Sequence, residues 1–127
     1  MGIRTELSLR LANSPGLLST VCRLLSDERV NVIAMTLESS GQLRLVVDNH
    51  VRAAGVLRDR HHQVTEREVL VSSVSHAPGA LVPMLRLIAE AGVNVDYAYG
   101  GGTDVSDMAT IVIAVDDPRR ASAAAGI

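Results

Sequence analysis

Two stretches decide the fold: Asn13-Ser14-Pro15-Gly16-Leu17-Leu18, and His76-Ala77-Pro78-Gly79-Ala80-Leu81 beginning 63 positions later. At the same spacing Leu24-Leu25 recurs as Leu87-Ile88, Asp27 as Glu90, and Val30-Asn31-Val32 as Val93-Asn94-Val95. Upstream, Leu7 pairs with Leu70 and Leu11 with Val74. Beyond the second strand the spacing grows to 68, where Val47-Asp48-Asn49 matches Val115-Asp116-Asp117. The second copy therefore carries a longer hairpin. A repeat of this length is one supersecondary unit written twice, which divides the chain into residues 1–68 and 69–127.

Within a copy the pattern reads strand, helix, strand, strand, helix. Ile3, Thr5, Leu7, Leu9 and Leu11 recur at alternate positions, as a half-buried strand requires. Asn13 or Ser14 is expected to cap the helix that follows, with Pro15 in its first turn, where a missing N–H is harmless. Leu17, Leu18, Val21, Cys22, Leu24 and Leu25 give that helix one broad apolar face, on which Cys22 reads as a small buried hydrophobe. Val30–Leu37 returns as an apolar strand, Ser39-Ser40-Gly41-Gln42 turns the hairpin, and Leu43–Val47 pairs back. Asp48 or Asn49 caps a short helix running to about Arg60. Gln63–Glu68 supplies a fourth strand that continues into Val69–Val74. The order βαββαβ is the ferredoxin-like split βαβ, an α+β fold with helices on one face of an antiparallel sheet. Copy two stops after its last helix, with no residues for a final strand. The edge of Val69–Val74 is then expected to be filled by Gln63–Glu68 swinging across or by another chain.

Composition narrows the function classes. The chain has 127 residues, 47% apolar and 20% charged, with no Phe or Trp and only Tyr97 and Tyr99 as aromatics. The core is therefore aliphatic. Platforms for stacking single-stranded bases are missing, and a net charge of −2 gives no duplex-binding footprint. A lone cysteine rules out a disulfide framework or a zinc finger and fits a reducing compartment. No apolar run is long enough to span a bilayer, and no signal-peptide pattern opens the chain. A cytoplasmic protein without nucleic-acid or membrane partners is expected.

The chemistry concentrates in the two strand-to-helix loops. A helix start offers free N–H groups and partial positive charge, glycine lets a ligand approach the backbone, and Asn13 both donates and accepts. Such a loop suits a carboxylate with a polar neighbour, as in an α-amino acid. A plain capped helix start is the alternative. Its recurrence, each time followed by Val-Asn-Val about fifteen residues on, favours a ligand site.

These residues, Asn13–Leu18 with Val30-Asn31-Val32 and His76–Leu81 with Gly92-Val93-Asn94-Val95, resemble the ACT domain, as a tandem pair spanning nearly the whole chain with no catalytic domain. The resemblance implies modules that bind amino acids and regulate metabolic enzymes. It also implies side-by-side pairing, with effectors between the Pro-Gly loop of one unit and the second strand of its neighbour. It implicates Asn13, Ser14, Pro15, Gly16, Leu17 and Leu18, and His76, Ala77, Pro78, Gly79, Ala80 and Leu81. Opposite them it places Asn31, Val32, Asn94 and Val95.

Departures from the pattern carry their own expectations. His76 replaces Asn13, so the first loop is the stronger ligand site. Arg29 stands where copy two has Gly92, so that turn is expected to be built differently, because a positive φ would cost about 1 kcal/mol. Pro83 either frees the Gly79 carbonyl for a ligand ammonium or marks a helix starting one turn later. Tyr97 and Tyr99 share a strand face and could wall a pocket. Gly100-Gly101-Gly102 has neither Rossmann nor Walker context and reads as a mobile hairpin. Asp104 and Asp107 are weak metal candidates, and no metal or cofactor is expected. His50, His61 and His62 read as solvated.

Val30–Met35 is apolar on both faces, which predicts at least a dimer unless the two copies cover each other. Three function classes follow: an amino-acid sensor, a regulatory subunit of a biosynthetic enzyme such as acetolactate synthase, and an acylphosphatase-like enzyme. The last needs an Arg-lined anion loop, and Leu11–Gly16 contains no Arg. With no nucleophile–base pair in view, the expectation is a binding module rather than an enzyme.

Overall fold

The computed structural model describes residues 2–127. Its elements run β1 (Gly2–Arg10), α1 (Leu17–Asp27), β2 (Val32–Leu37), β3 (Gln42–Val47), α2 (His50–Asp59), β4 (Thr65–Ser75), α3 (Val82–Glu90), β5 (Val95–Gly101), β6 (Met108–Val115) and α4 (Pro118–Ala125). The strands are hydrogen-bonded in the order β2-β3-β1-β4-β6-β5. This is the α+β, antiparallel, ferredoxin-like architecture expected from the repeat. The chain resolves into two compact units, Thr5–Arg67 and Glu68–Ile127, the latter completed by residues 2–4.

In the Thr5–Arg67 unit, β1 pairs antiparallel with β3 from Glu6 opposite Val46 to Arg10 opposite Gln42. Leu7 and Leu9 alternate inward and join Val21, Leu25, Leu43, Leu45 and Leu57 in an aliphatic core. The other unit buries Leu70, Met84, Ile88, Ile113 and Ala121 in the same manner. With no large aromatic to fill space, each core depends on close aliphatic packing.

The position beside the second half of β4 is occupied, but not as the sequence led us to expect. Residues 2–4 belong with Glu68–Ile127, and β1 lies beside β4. Ile3 packs against the second core together with Ile127. The start of the chain thus does for the second copy what Thr65–Arg67 does for the first. Neither Gln63–Glu68 nor another chain is required.

The repeat is legible in backbone detail. Arg29 adopts φ 58° and Gly92 φ 73°. Both turns close alike, Val30 N–H onto Leu25 C=O at 2.9 Å and Val93 N–H onto Ile88 C=O at 3.3 Å. The expectation of a different turn at Arg29 is corrected: the 6→1 bond holds an arginine in the left-handed conformation that glycine adopts freely. Each copy then places one extra residue in its second strand, between Val32 and Ala34 and between Val95 and Tyr97. Such a bulge shifts the side-chain alternation, which is why Val32 and Met35, three apart, both pack on the first core. Cys22 is half-buried rather than buried. Gly100 and Gly101 extend β5 opposite Ile111 and Thr110 instead of forming a mobile hairpin. A Cβ on Gly100 would overlap the Thr110 carbonyl oxygen, so close backbone approach explains that glycine.

Candidate functional site

The first loop begins where β1 ends. Leu11 N–H donates to Gly41 C=O at 2.8 Å, tying the end of β1 to the β2–β3 hairpin. Gly41 has φ 91°, and a Cβ there would run into the Leu11 carbonyl oxygen. Next, Ser14 N–H turns back onto Ala12 C=O at 2.9 Å. Gly16, at φ 87°, then launches α1 directly at Leu17, with no side chain capping it. The expected caps are corrected: neither Asn13 nor Ser14 bonds the helix start, and Pro15 precedes α1 instead of lying in its first turn. The first N–H groups of a helix have no intrahelical partner, and here no side chain occupies that role.

A cavity of about 330 Å³ opens at this helix start. Loop and helix contribute Asn13, Ser14, Gly16, Leu17 and Leu18, and the hairpin contributes Leu37, Glu38, Ser39 and Gly41. Leu11 and Ala12 complete the wall. The Glu38 carboxylate is paired with Arg44. The cavity therefore offers hydrogen-bond donors and partial positive charge at the helix start, leucine walls, and Glu38 in its lining. Glu38 and the rest of the hairpin wall were missed in the sequence. The signal for them was Gly41, whose glycine marks the approach of the hairpin to Leu11.

Asn31 and Val32 do not reach this cavity. They line a separate groove with Cys22, Ser26, Arg29 and Met35 at the other end of α1. The backbone at both asparagines is tied to the aspartate that ends the neighbouring strand. Asn31 N–H donates to Asp48 Oδ1 at 2.9 Å and Asp48 N–H to Asn31 C=O at 3.1 Å. Asn94 and Asp116 make the same reciprocal pair at 3.1 and 3.2 Å. The neighbouring Asn49 and Asp117 cap α2 and α4 through the Arg52 and Arg120 N–H groups, each at 3.1 Å.

The second loop is built differently at its helix start. Ala77 N–H repeats the small turn, onto Ser75 C=O at 3.0 Å. Pro78–Leu81 then form a further turn in which Ala80 N–H bonds Ala77 C=O, and α3 starts only at Val82 with Pro83 in its first two positions. The idea of a free Gly79 carbonyl is corrected, because it accepts the Val82 N–H at 3.1 Å. His76 N–H donates to Asp107 C=O at 2.8 Å. A Cβ on Gly102 would lie 2.8 Å from His76 Nδ1, so the β5–β6 hairpin rests on this ring. Val95 is exposed and Asn94 also carries a side-chain bond to Asp96. Tyr97 and Tyr99 stack on each other with ring centroids 6.4 Å apart. Among the described residues no three His, Cys, Asp or Glu side chains are grouped to hold a metal, and no helix is long and apolar enough to cross a membrane.

No curated protein matches the chain. Among solved structures, protein BT0572 from Bacteroides thetaiotaomicron superposes with a TM-score of 0.87 at 27% identity, covering 96% of this chain and 85% of that one. The regulatory subunit of aspartate kinase from Thermus flavus gives 0.66 at 16% identity, with 99% and 95% covered. E. coli aspartokinase III in complex with lysine and aspartate gives 0.61 at 15% identity, covering 99% of this chain and 31% of that one. For the two kinases the likeness is one of fold. The ACT domain family model matches residues 5–62, the stretch that carries the cavity at the start of α1.

Proposed function

We propose that the chain is a non-catalytic regulatory module that binds a small zwitterion, an α-amino acid, in the cavity at the start of α1. One observation carries this reading: an uncapped helix start and a glutamate line the same 330 Å³ space. The ligand carboxylate sits against the first-turn N–H groups, its ammonium faces Glu38, and its side chain lies along Leu11, Leu17 and Leu37. The match of residues 5–62 to the ACT domain supports it. So does a neighbour of the same fold, E. coli aspartokinase III, described as a complex with lysine and aspartate.

The repeated turn, bulge and reciprocal Asn–Asp pair support reading residues 68–127 as a second ACT-type unit. Its closed helix start makes it the weaker ligand site. Homodimerisation and a cytoplasmic setting belong to this proposal. A second reading, a regulatory subunit acting through protein contacts, is favoured by exposed Val82, Leu85 and Leu87 on α3, which are 50%, 37% and 42% accessible.

A thermal-shift screen against the twenty amino acids tests the reading. A binder at 100 times its Kd stabilises by about 2.7 kcal/mol. No shift with any of them contradicts the sensor and leaves the protein-contact reading, which a pull-down with the partner enzyme then tests.

A further inference from the structure

We propose that a second cleft in the Thr5–Arg67 unit, at the C-terminal end of α2, binds a small dianion. The cleft measures about 650 Å³ and brings together Arg10, Gln42, His61, His62, Gln63 and Thr65, with Leu9 and Val64 beneath. Arg10 ends β1, Gln42 opens β3, and the two histidines and Thr65 bracket the link from α2 to β4. No carboxylate lines this space. The polar side chains lining it are a guanidinium, two imidazoles, two carboxamides and a hydroxyl. A guanidinium fork beside imidazoles suits the paired oxygens of a phosphate or of carboxylates.

The end of a helix carries partial negative charge, which would oppose an anion. Here that end is closed. Leu57 C=O accepts from both Arg60 and His62 N–H, and Arg58 C=O accepts from His61 N–H. The nearby acids are also engaged elsewhere. Glu66 pairs with Arg58 at 3.2 Å, and Asp59 lines a different cleft with Asp27, Glu28 and Arg60. The Arg10 guanidinium is oriented by a 2.8 Å bond to Ser40 C=O, which uses Nη1 and leaves its other donors to a ligand.

His61 supplies the remaining argument. It stands at φ 69°, a position where glycine fits without cost. The 6→1 bond from His62 N–H to Leu57 C=O holds that conformation, as the equivalent bond does at Arg29, and it fixes His61 beside the cleft.

The test is a titration followed by amide NMR on the intact chain, with inorganic phosphate and succinate as separate probes and ionic strength held constant with chloride. The expected result is saturable movement of the Arg10, Gln42 and His61–Thr65 amides, with Gly16–Leu18 unmoved. Saturation by phosphate alone identifies a phosphoryl group as the ligand chemistry, by succinate alone a dicarboxylate, and either supports the site. Arg10→Gln and His61→Gly are each expected to weaken binding at least fivefold, while His61→Gly also raises Tm. Failure of both probes to saturate overturns the proposal. It is equally overturned if His61→Gly raises Tm and neither variant changes affinity. Both readouts are independent of any amino acid at the α1 cavity.

Discussion

The backbone N–H of Asn31 is held by Asp48 Oδ1 at 2.9 Å, and 63 residues on, Asn94 N–H is held by Asp116 Oδ1 at 3.1 Å. Each pair joins the entry of an edge strand to the exit of the strand beside it, just before the residue that caps the next helix. The Val-Asn-Val and Val-Asp-Asn/Asp motifs are thus two halves of one structural clasp. Their recurrence follows from folding the same unit twice. The loops they flank are where the copies diverge: α1 starts at Leu17 directly after Gly16, whereas α3 starts only at Val82 after a further turn.

Asp48→Ala removes the acceptor and should cost about 1–2 kcal/mol in urea unfolding. Asp48→Asn keeps an acceptor oxygen and should cost less. Equal losses would mean that charge, rather than the bond to Asn31, holds the clasp.

Arg29→Gly should stabilise the chain by about 1 kcal/mol, because arginine is held at a positive φ that glycine adopts freely. Gly92→Ala should destabilise by a similar amount. Thermal melts of the two variants read the opposite signs directly.

Gly41→Ala places a Cβ onto the Leu11 carbonyl oxygen. The hairpin must move away from the end of β1, at a cost above about 1 kcal/mol. The wall formed by Leu37, Glu38 and Ser39 moves with it, so amino-acid affinity should fall together with stability. Calorimetry on the variant at a temperature where it remains folded checks both.

Ile3→Ala tests the strand that completes the second unit. Ile3 packs on the core holding Leu70, Ile88 and Ile113, and shortening a partly buried isoleucine should cost about 1–3 kcal/mol. Amide exchange localises the loss. Val69–Val71, fully buried in the native chain, should exchange slowly in the wild type and faster in the variant. Fast exchange there in the wild type would mean that residues 2–4 do not hold the slot.

Much of this was written in the sequence. Alternation at Leu7, Leu9 and Leu11, the apolar face of α1 and the recurring motifs gave the strand and helix order, because period and repeat survive in a linear reading. What filled the last slot was not legible, since Gly2–Arg4 reads simply as the start of the first strand. Its allegiance is set by tertiary packing of Ile3. The caps were misread because Asn13 and Ser14 have the right chemistry, while Gly16, by taking φ 87°, lets α1 begin beyond their reach. Arg29 and His61 show the reverse case, in which helix-end hydrogen bonds override the local preference against positive φ. At the candidate site, Asn13, Ser14, Gly16, Leu17 and Leu18 of the loop singled out in the sequence line the cavity, and Pro15 does not. Glu38 was not legible, because it lies far along the chain and arrives only through the approach of Gly41 to Leu11.

The central claim, that an α-amino acid occupies the cavity at the start of α1, is tested most directly by amide NMR of the labelled chain titrated with the amino acid that gives the largest thermal shift. The account predicts saturable movement of the Gly16, Leu17 and Leu18 amides together with those of Glu38–Gly41, and loss of that movement in Gly41→Ala. Saturable movement confined to Asn31–Val32, or to the His76–Leu81 loop, with Gly16–Leu18 unmoved would contradict it.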